Sequence, residues 1–454
     1  MHQREFDVIV IGAGPAGEVA AGRLGESGLD VAIVEGHLVG GECSFYACMP
    51  SKALLRPAEV IDEGLRIPGA AQAINGSFDV QAVLDRRDEV IHDLDDTSQL
   101  PWLADRGVSV VRGRARITGE RTVSVDGQEI VARRAVVVAT GSDALIPPID
   151  GLREARPWTN REITTAKHVP ERLLILGGGV VGVEMAQAFA SLGSAVTLVE
   201  GGPRILAREE PFASEQVHDS LEARGVRVIT GARATAVERN GRVTMHLDEH
   251  EPVSGDEILV AVGRSLNTRD IGLDAIGLEP GKPIDVHDTM QSTSHSWLYA
   301  IGDCNGRALL THMGKYQGRI ASDHIVGKPA ALRSDGLLSP RVVFTDPQVA
   351  AVGHTEASAR AAGLSIRVVE VGTGANAGGS FYGRNAPGTA RIVVDEDRRV
   401  IAGATFTGPD IGESIHAATI AVVAEVPLHV LWHAVPSFPT RSELWLRLLE
   451  SYGL

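Results

Sequence analysis

The chain has 454 residues, of which 44% are hydrophobic and 22% charged, with a formal net charge of −15. At roughly 150 residues per domain this length predicts about three domains with a large core. The acidic balance argues against a nucleic-acid partner and against docking on an anionic membrane, and no apolar run reaches the roughly 18 residues of a membrane span. The N-terminus lacks the long apolar region of a signal peptide, so we expect a cytoplasmic protein with a small-molecule substrate.

The first predicted element is a strand–turn–helix–strand unit in residues 6–35. A buried strand at Val8–Ile11 leads into a GxGxxG turn and a helix, and a second strand, Val31–Val34, ends in Glu35. Such glycines permit the tight turn, the approach of a pyrophosphate and close helix packing, and the acid can accept hydrogen bonds from a ribose. The unit predicts a dinucleotide site. Its glycines are Gly12, Gly14 and Gly17.

A cysteine pair follows in the segment GGECSFYACMPSK, residues 40–52. Five helical steps would place the two Cα atoms of Cys43 and Cys48 roughly 8–9 Å apart, whereas a disulfide needs them within about 7 Å. The segment therefore cannot be undistorted helix if the bond forms, and Pro50 helps to loosen the turn because its ring crowds the carbonyl of Tyr46. A close pair in a reducing compartment favours a redox role; two ligands alone do not make a zinc site, so no metal is expected. Cys304 is predicted to be a buried free thiol.

Residues 171–200 repeat the first unit without a gap, at an offset of 177 − 12 = 165 residues. The repeat predicts a second dinucleotide site, and two sites in one chain suggest hydride transfer from a nicotinamide to a flavin dinucleotide. We expect FAD and NAD(P)H, with NADH favoured because a carboxylate at Glu200 repels a 2′-phosphate, although Arg204 and Arg208 could offset this. The glycines of the repeat are Gly177, Gly179 and Gly182.

These motifs together resemble the class I pyridine nucleotide–disulfide oxidoreductases, the family of dihydrolipoamide dehydrogenase, glutathione reductase and mercuric reductase. The resemblance covers nearly the whole chain, and GGxCxxxxCxPSK is its most specific motif. It implies that Cys43 is the interchange thiol, that Cys48 is the thiolate beside the flavin, and that Lys52 lies near flavin N5, paired with Glu184. A buried lysine needs such a carboxylate, and its charge would stabilise the reduced flavin and the thiolate. The further cofactor-binding residues that we expect are Pro15, Ala16, Gly36, Gly41, Glu42, Ala115, Ala139, Thr140, Gly141, Gly263, Arg264, Gly302 and Asp303.

The resemblance also implies an α/β architecture with two Rossmann-like domains and a C-terminal α+β dimerisation domain. We expect a homodimer, because the family builds its active site from both chains. The expected segments are 1–147 and 269–332 for FAD, 148–268 for NAD(P), and 333–454 for the interface.

The C-terminal segment departs from the family pattern. Disulfide-reducing members carry His-Pro-Thr-x-x-Glu there, but this chain places Phe438 at the histidine, which cannot carry a proton. The interchange thiol would lose an acid–base group worth about 10²–10⁴-fold. Glu443 could act alone, with its carboxylate desolvated by Phe438, or simply pair with Arg441 or Arg447; His433 could also fold back. We count Phe438 and Glu443 among the candidate site residues.

Two departures leave the electron acceptor open. Phe45 and Tyr46 are larger than usual between the cysteines, and either line an apolar pocket with Phe438 or merely pack. Ala47 and Phe438 match 2-ketopropyl coenzyme M oxidoreductase/carboxylase, although Lys52 and Glu443 do not. The first hypothesis is a disulfide reductase; the second is reduction of a quinone, a metal ion or oxygen, and the third is carbon–sulfur cleavage.

Overall fold

The chain is a mixture of strands and helices, and the computed structural model describes residues 4–76, 78–386 and 388–454. The strands are β1 Arg4–Ile11, β2 Val31–Glu35, β3 Val108–Arg112, β4 Ala115–Gly119, β5 Thr122–Val125, β6 Gln128–Val138, β7 Ser142–Ala144, β8 Arg172–Leu176, β9 Ala195–Glu200, β10 Arg227–Thr230, β11 Ala234–Asn240, β12 Arg242–Leu247, β13 Val253–Gly255, β14 Glu257–Val260, β15 Arg264–Leu266, β16 Leu298–Ala300, β17 Arg341–Val343, β18 Gln348–Gly353, β19 Ile366–Gly372, β20 Thr389–Asp395 and β21 Val400–Gly408. The helices are α1 Pro15–Glu26, α2 Gly41–Phe45, α3 Cys48–Arg66, α4 Ala70–Ala73, α5 Val80–Val90, α6 Leu100–Ala104, α7 Asn160–Thr165, α8 Val180–Ser191, α9 Pro211–Ala223, α10 Thr311–Ile325, α11 Glu356–Ala361, α12 Ala377–Ser380, α13 Ile415–Val423, α14 Leu428–Leu431 and α15 Leu444–Tyr452.

The chain divides into two compact units, each assembled from three segments. Unit 1 comprises Met1–Pro50, Arg87–Leu145 and Arg264–Gly336, and unit 2 comprises Ser51–Arg86, Ile146–Gly263 and Leu337–Leu454. Among the described residues, no helix is both long and apolar enough to cross a membrane.

Unit 1 is built on a sheet in the order β3-β2-β1-β6-β5-β4, with β16 paired to the end of β6. Strands β1, β2, β3, β6 and β16 pair in parallel. Residues Val8–Ile11 are buried, as expected for a parallel strand covered on both faces. Because the strands are parallel, the turn at Gly12 and the acid at Glu35 lie at the same edge of the sheet, where α/β folds bind ligands.

Unit 2 contains the second nucleotide-type sheet, in the order β10-β9-β8-β14, all parallel. Helix α8 follows β8, and its residues Gly182–Phe189 are buried. The C-terminal part of the unit is a five-stranded antiparallel sheet, β17-β18-β21-β20-β19. The cluster that packs this sheet includes Ala418 of α13 and Leu448 of α15. The α/β class expected from the sequence is confirmed.

The segment between the two cysteines is a break between helices. Helix α2 ends at Phe45 and α3 begins at Cys48, because Tyr46 leaves the helical region with φ −132° and ψ −1°. Pro50 lies in the first turn of α3. Proline is tolerated there because the first N–H groups of a helix make no hydrogen bond within the helix. The distortion expected from the disulfide spacing is therefore present.

Candidate active site

The first glycine turn is shaped for a pyrophosphate. Gly12 has φ +102°, and a Cβ there would overlap the carbonyl oxygen of Ala139. A Cβ on Gly17 would overlap the carbonyl oxygen of Gly12, so only glycine allows α1 to lie this close to its strand. A Cβ on Gly14, by contrast, would have no atom within 4 Å. Gly14 is the N-cap residue of α1, and no side chain there occupies the space in front of the helix. The first amides of α1 thus point toward a space that suits an anion.

The second turn repeats this geometry. Gly177 has φ +109°, and a Cβ there would overlap the carbonyl oxygen of Ala261. A Cβ on Gly182 would overlap the carbonyl oxygen of Gly177, as at Gly17 in the first turn. A Cβ on Gly179, at the start of α8, would have no atom within 4 Å.

The two acids that end the second strands are held by matching hydrogen bonds. Glu35 accepts from the amides of Ala13 at 2.7 Å and His37 at 2.8 Å. Glu200 accepts from the amides of Gly178 at 2.7 Å and Gly202 at 2.6 Å. The donors keep the offset of the sequence repeat, since 13 + 165 = 178 and 37 + 165 = 202. Each carboxylate is therefore fixed beside its glycine turn, where it can meet a ribose.

The carboxyl end of β16 in unit 1 carries a polar cluster. Asp303 accepts from the Ser142 hydroxyl at 2.5 Å, and Arg264 donates to the same hydroxyl at 2.6 Å. Thr140 Oγ1 and Gln317 Nε2 are buried with no hydrogen-bond partner among the described residues. Unpartnered buried polar atoms are costly, so they indicate a polar ligand at this edge. Together with the open space at Gly14, they fit FAD.

The two cysteines are hydrogen-bonded thiols in unit 1. Cys43 and Cys48 are both partly buried, and Cys48 Sγ lies 3.4 Å from the hydroxyl of Thr311 at the start of α10. The hydrogen bond to Cys48 raises the pKa of Cys43 well above that of an ordinary thiol, and burial raises it further. The Cys43 thiol thus holds its proton near neutral pH.

Cys304 is a buried free thiol, as the sequence predicted. It lies against the carbonyl oxygens of Val138 and Ile301, and burial raises its pKa to about 12. It is unsuited to nucleophilic chemistry.

Lys52 and Glu184 are brought together in unit 2. The Lys52 ammonium donates to Glu184 Oε2 at 2.7 Å and lies 4.6 Å from the ring centroid of Phe344. Glu184 Oε1 accepts from the Phe344 amide at 3.0 Å, and its side chain is only 4% exposed, against 36% for Lys52. The carboxylate is thus satisfied on both oxygens, while the lysine remains partly accessible.

The C-terminal arginines pair with groups other than Glu443. Arg441 donates to the carbonyl oxygen of Pro409, and Arg447 pairs with Glu450 at 2.9 Å. Glu443 is 8% exposed, and its Oε2 has no partner among the described residues. The simple ion pair of Glu443 with either arginine is therefore wrong. Phe438 is 77% exposed, so within this chain its ring does not desolvate a carboxylate.

Phe45 and Tyr46 are packing residues. Phe45 is 1% exposed and lies with Tyr46 and Ile91 in a small core cluster. The Tyr46 hydroxyl is hydrogen-bonded to His37 Nε2 at 3.0 Å. The proposed pocket lined by Phe45 is wrong, because its ring fills the core of unit 1 and is not available to a substrate.

The expected site residues are shared between the two units. Unit 1 carries Gly12, Gly14, Pro15, Ala16, Gly17, Glu35, Gly36, Gly41, Glu42, Cys43, Cys48, Ala115, Ala139, Thr140, Gly141, Arg264, Gly302 and Asp303. Unit 2 carries Lys52, Gly177, Gly179, Gly182, Glu184, Glu200, Gly263, Phe438 and Glu443. Sequence reasoning did not consider Glu18, a half-buried acid in the first turn of α1 directly after the glycine turn. It also missed Lys315, which lies one helical turn after Thr311.

Comparison with known proteins agrees with this geometry. Residues 6–318 match the family model described as "Pyridine nucleotide-disulphide oxidoreductase", and residues 339–448 match the dimerisation domain of that family. A dihydrolipoyl dehydrogenase of Chlamydia muridarum is 32% identical over 97% of this chain and 95% of its own length. A mercuric reductase of Staphylococcus aureus is 29% identical over 97% of this chain and 81% of its own length.

Two solved structures share the fold over almost the whole chain. The Cu(II) complex of the HOCl-induced flavoprotein disulfide reductase RclA from Escherichia coli has a TM-score of 0.86 at 26% identity and covers 99% of both chains. LpdA from Mycobacterium tuberculosis has a TM-score of 0.86 at 25% identity, covering 99% of this chain and all of its own. The chain therefore belongs to the pyridine nucleotide–disulphide oxidoreductase family, as an enzyme that uses FAD and NAD(P)H.

Proposed function

We propose that Cys43 and Cys48 form the redox-active disulfide, which takes two electrons from NAD(P)H through FAD and passes them to a disulfide substrate. The observation that carries this proposal is the contact between the two thiols in the break between α2 and α3. Two sulfur atoms within hydrogen-bonding distance at the end of a helix can close into a disulfide with little backbone movement. When bound, FAD supplies the hydride acceptor that links the nicotinamide to this disulfide.

The roles of the individual residues follow from their surroundings. Cys43 would exchange with substrate and Cys48 would serve the flavin side, where the hydroxyl of Thr311 supports its sulfur. Lys52, fixed by Glu184, would supply the positive charge that stabilises the reduced centre. These assignments rest on the family motif together with the observed contacts of Cys48 with Thr311 and of Lys52 with Glu184.

The assembly that this function requires is a homodimer, with Phe438 and Glu443 facing the site of the partner subunit. The match of residues 339–448 to a dimerisation domain supports it. The division into segments 1–147, 148–268, 269–332 and 333–454 stays a prediction, and so does the cytoplasmic location.

A second candidate function is reduction of a metal ion at the same cysteine pair. Phe438 supports it, because transfer of electrons to a metal ion needs no histidine to protonate a leaving thiolate. The similarity to a mercuric reductase and to a disulfide reductase solved with Cu(II) points the same way. Reduction of a quinone or oxygen and carbon–sulfur cleavage stay hypotheses that rest on the sequence.

Counting thiols tests the proposed redox centre. The oxidised protein, denatured in the presence of an alkylating reagent, should yield one thiol, from Cys304, and the protein reduced anaerobically by NADH should yield three. A count that stays at one or three in both states contradicts the proposal. Parallel assays of NADH oxidation with a disulfide, Cu(II), Hg(II) and a quinone then identify the acceptor.

We further propose that NADH is the preferred coenzyme. Both oxygens of Glu200 are fixed by backbone amides at the end of β9. Arg204, which could offset the charge of Glu200, donates instead to the carbonyl oxygens of Ala207 and Glu209 at 2.9 Å. Arg204 therefore does not neutralise the Glu200 carboxylate, whose negative charge should repel the 2′-phosphate of NADPH.

Replacing Glu200 by glutamine should narrow the preference for NADH. We expect the ratio of kcat/KM for NADH over NADPH to fall by about tenfold, equivalent to about 1.4 kcal/mol. An Arg242→Gln variant, at an exposed position in β12, is the control and should keep the ratio of the parent. A parent enzyme that prefers NADPH would contradict the prediction.

A further inference from the structure

We propose that Glu18, assisted by the charge of Lys315, takes up and returns the proton of Cys43. This assignment rests on the proposed function of Cys43 as the thiol that meets substrate. It gives the chain a proton carrier within unit 1, although Phe438 occupies the position of the family histidine.

Helix α2, which carries Cys43, is seated on the first glycine turn. The amide of Gly40 donates to the carbonyl oxygen of Ala13 at 2.8 Å. A Cβ built on Gly41 would lie 2.7 Å from the Cα atom of Gly14, so the two backbones touch. Gly14 caps α1, and Glu18 lies in the first turn of that helix.

Helix α10 approaches the same place from the other side. A Cβ on Gly314 would lie 3.2 Å from that of Ala16, and one on Gly318 would lie 2.8 Å from the Ala16 carbonyl oxygen. Thr311 at the start of α10 contacts Cys48, and Lys315 follows one turn later. Glu18, Cys43 and Lys315 are therefore carried by α1, α2 and α10, and both α2 and α10 pack against the start of α1.

The charges around Glu18 suit proton exchange near neutral pH. Burial raises the pKa of Glu18, the Lys315 ammonium lowers it, and Glu35 raises it; together they bring it to about 7. Neither Glu18 nor Lys315 forms an ion pair within 4.0 Å in the part of the chain that the structure describes. Near pH 7 the Glu18 carboxyl can thus both accept and donate a proton.

The Cys43 thiol needs such a carrier. Its pKa is raised by the hydrogen bond to Cys48, by burial and by the charge of Cys48, while Thr311 and Lys315 act in the opposite direction. Lys315 acts on both groups, because its charge lowers the pKa of Glu18 and that of Cys43. Its ammonium therefore stabilises the thiolate that forms when the proton leaves the Cys43 sulfur, and it also stabilises the ionised form of Glu18 that accepts this proton.

The reaction balances with this carrier. Ionised Glu18 accepts the proton of Cys43, and the Cys43 thiolate attacks a substrate disulfide, forming a mixed disulfide and releasing one substrate thiolate. That thiolate takes the proton back from Glu18. Cys48 then attacks the Cys43 sulfur, which reforms the Cys43–Cys48 disulfide and releases the second substrate thiolate. The proton of Cys48 passes to this thiolate, which leaves as a thiol. Two electrons and two protons pass from the dithiol to the substrate.

The test measures the reactivity of Cys43 directly. The reduced holoenzyme is treated with iodoacetamide between pH 5 and pH 10, and alkylation of Cys43 is followed by peptide mass analysis. In the parent protein we expect the rate to rise through an inflection near pH 7. In Glu18→Gln that inflection should disappear, the rate at pH 7.5 should fall at least about tenfold, and disulfide turnover should fall by about 10²-fold.

Matched variants distinguish a loss of proton transfer between Glu18 and Cys43 from a general disturbance of the fold. Lys315→Met should move the inflection to higher pH, whereas Lys328→Met near the end of α10 should not. Glu26→Gln, at the far end of α1, should behave as the parent. An inflection near pH 7 that survives in Glu18→Gln overturns the inference while leaving the proposed function intact. A parent protein in which reduction by NADH does not expose Cys43 to iodoacetamide overturns the proposed function itself.

Discussion

Replacing Cys43 by serine should lower the rate of NADH-dependent disulfide reduction by about 10³-fold or more. The serine hydroxyl cannot form a sulfur–sulfur bond, so neither the mixed disulfide nor the reformed Cys43–Cys48 bond is available. The bound flavin should still be reduced by NADH, because the two glycine turns and their acids are untouched by the change. Stopped-flow absorbance of the flavin, run beside the steady-state assay, measures both steps.

Two variants serve as controls for this prediction. Cys48→Ser should be equally inactive with disulfides, since the second thiol is needed to release the product. Cys304→Ser should keep the activity of the parent, because its sulfur is buried in a core cluster and donates to the backbone carbonyl oxygens of Val138 and Ile301. Disulfide reduction that persists in Cys43→Ser would show that the cysteine pair does not carry the electrons to the acceptor.

Breaking the Lys52–Glu184 pair should cost both stability and activity. Lys52→Met leaves Glu184, which is 4% exposed, with the Phe344 amide as its remaining hydrogen-bond donor. A buried carboxylate that loses its cation is destabilising by several kcal/mol, and the partial exposure of Lys52 reduces this to about 2 kcal/mol. Reduction of the disulfide should also slow if Lys52 supplies the positive charge that we propose for the reduced centre.

A double-mutant cycle measures this interaction. The free energy of unfolding of Lys52→Met, Glu184→Gln and the double variant is obtained from denaturant curves of the holoenzyme. The double variant should be more stable than the sum of the two single effects predicts, because no unpaired charge remains. Lys328→Met, at a solvent-exposed pair, is the control. Additive effects would mean that the two side chains do not depend on each other.

Much of the nucleotide-binding geometry could be predicted because glycine turns depend on local backbone sterics. The positive φ angles of Gly12 and Gly177 follow from the turn that each strand must make into its helix. The matching hydrogen bonds of Glu35 and Glu200 follow from the same repeat. The break between α2 and α3 was predictable from the spacing of the cysteines if they form a disulfide, together with Pro50.

Other parts of the site depend on packing between distant segments, and the sequence could not reveal them. Phe45 could equally have faced a substrate, and only the cluster with Ile91 shows that it is buried. The partner of Arg441 depends on how the C-terminal loop folds, whereas Arg447 pairs with Glu450 within α15. Glu443 Oε2 is left without a partner among the described residues. Glu18 and Lys315 are 297 residues apart, since 315 − 18 = 297, and the packing of α1 against α10 brings them together.

An anaerobic titration of the oxidised enzyme with NADH tests the transfer of electrons to the cysteine pair most directly. If the Cys43–Cys48 disulfide accepts them, the first equivalent should produce a long-wavelength absorption band from a thiolate beside the flavin, with the main flavin absorbance largely retained. The Cys48→Ser variant should lack the band. Complete bleaching of the flavin by the first equivalent, with no such band, would contradict the account.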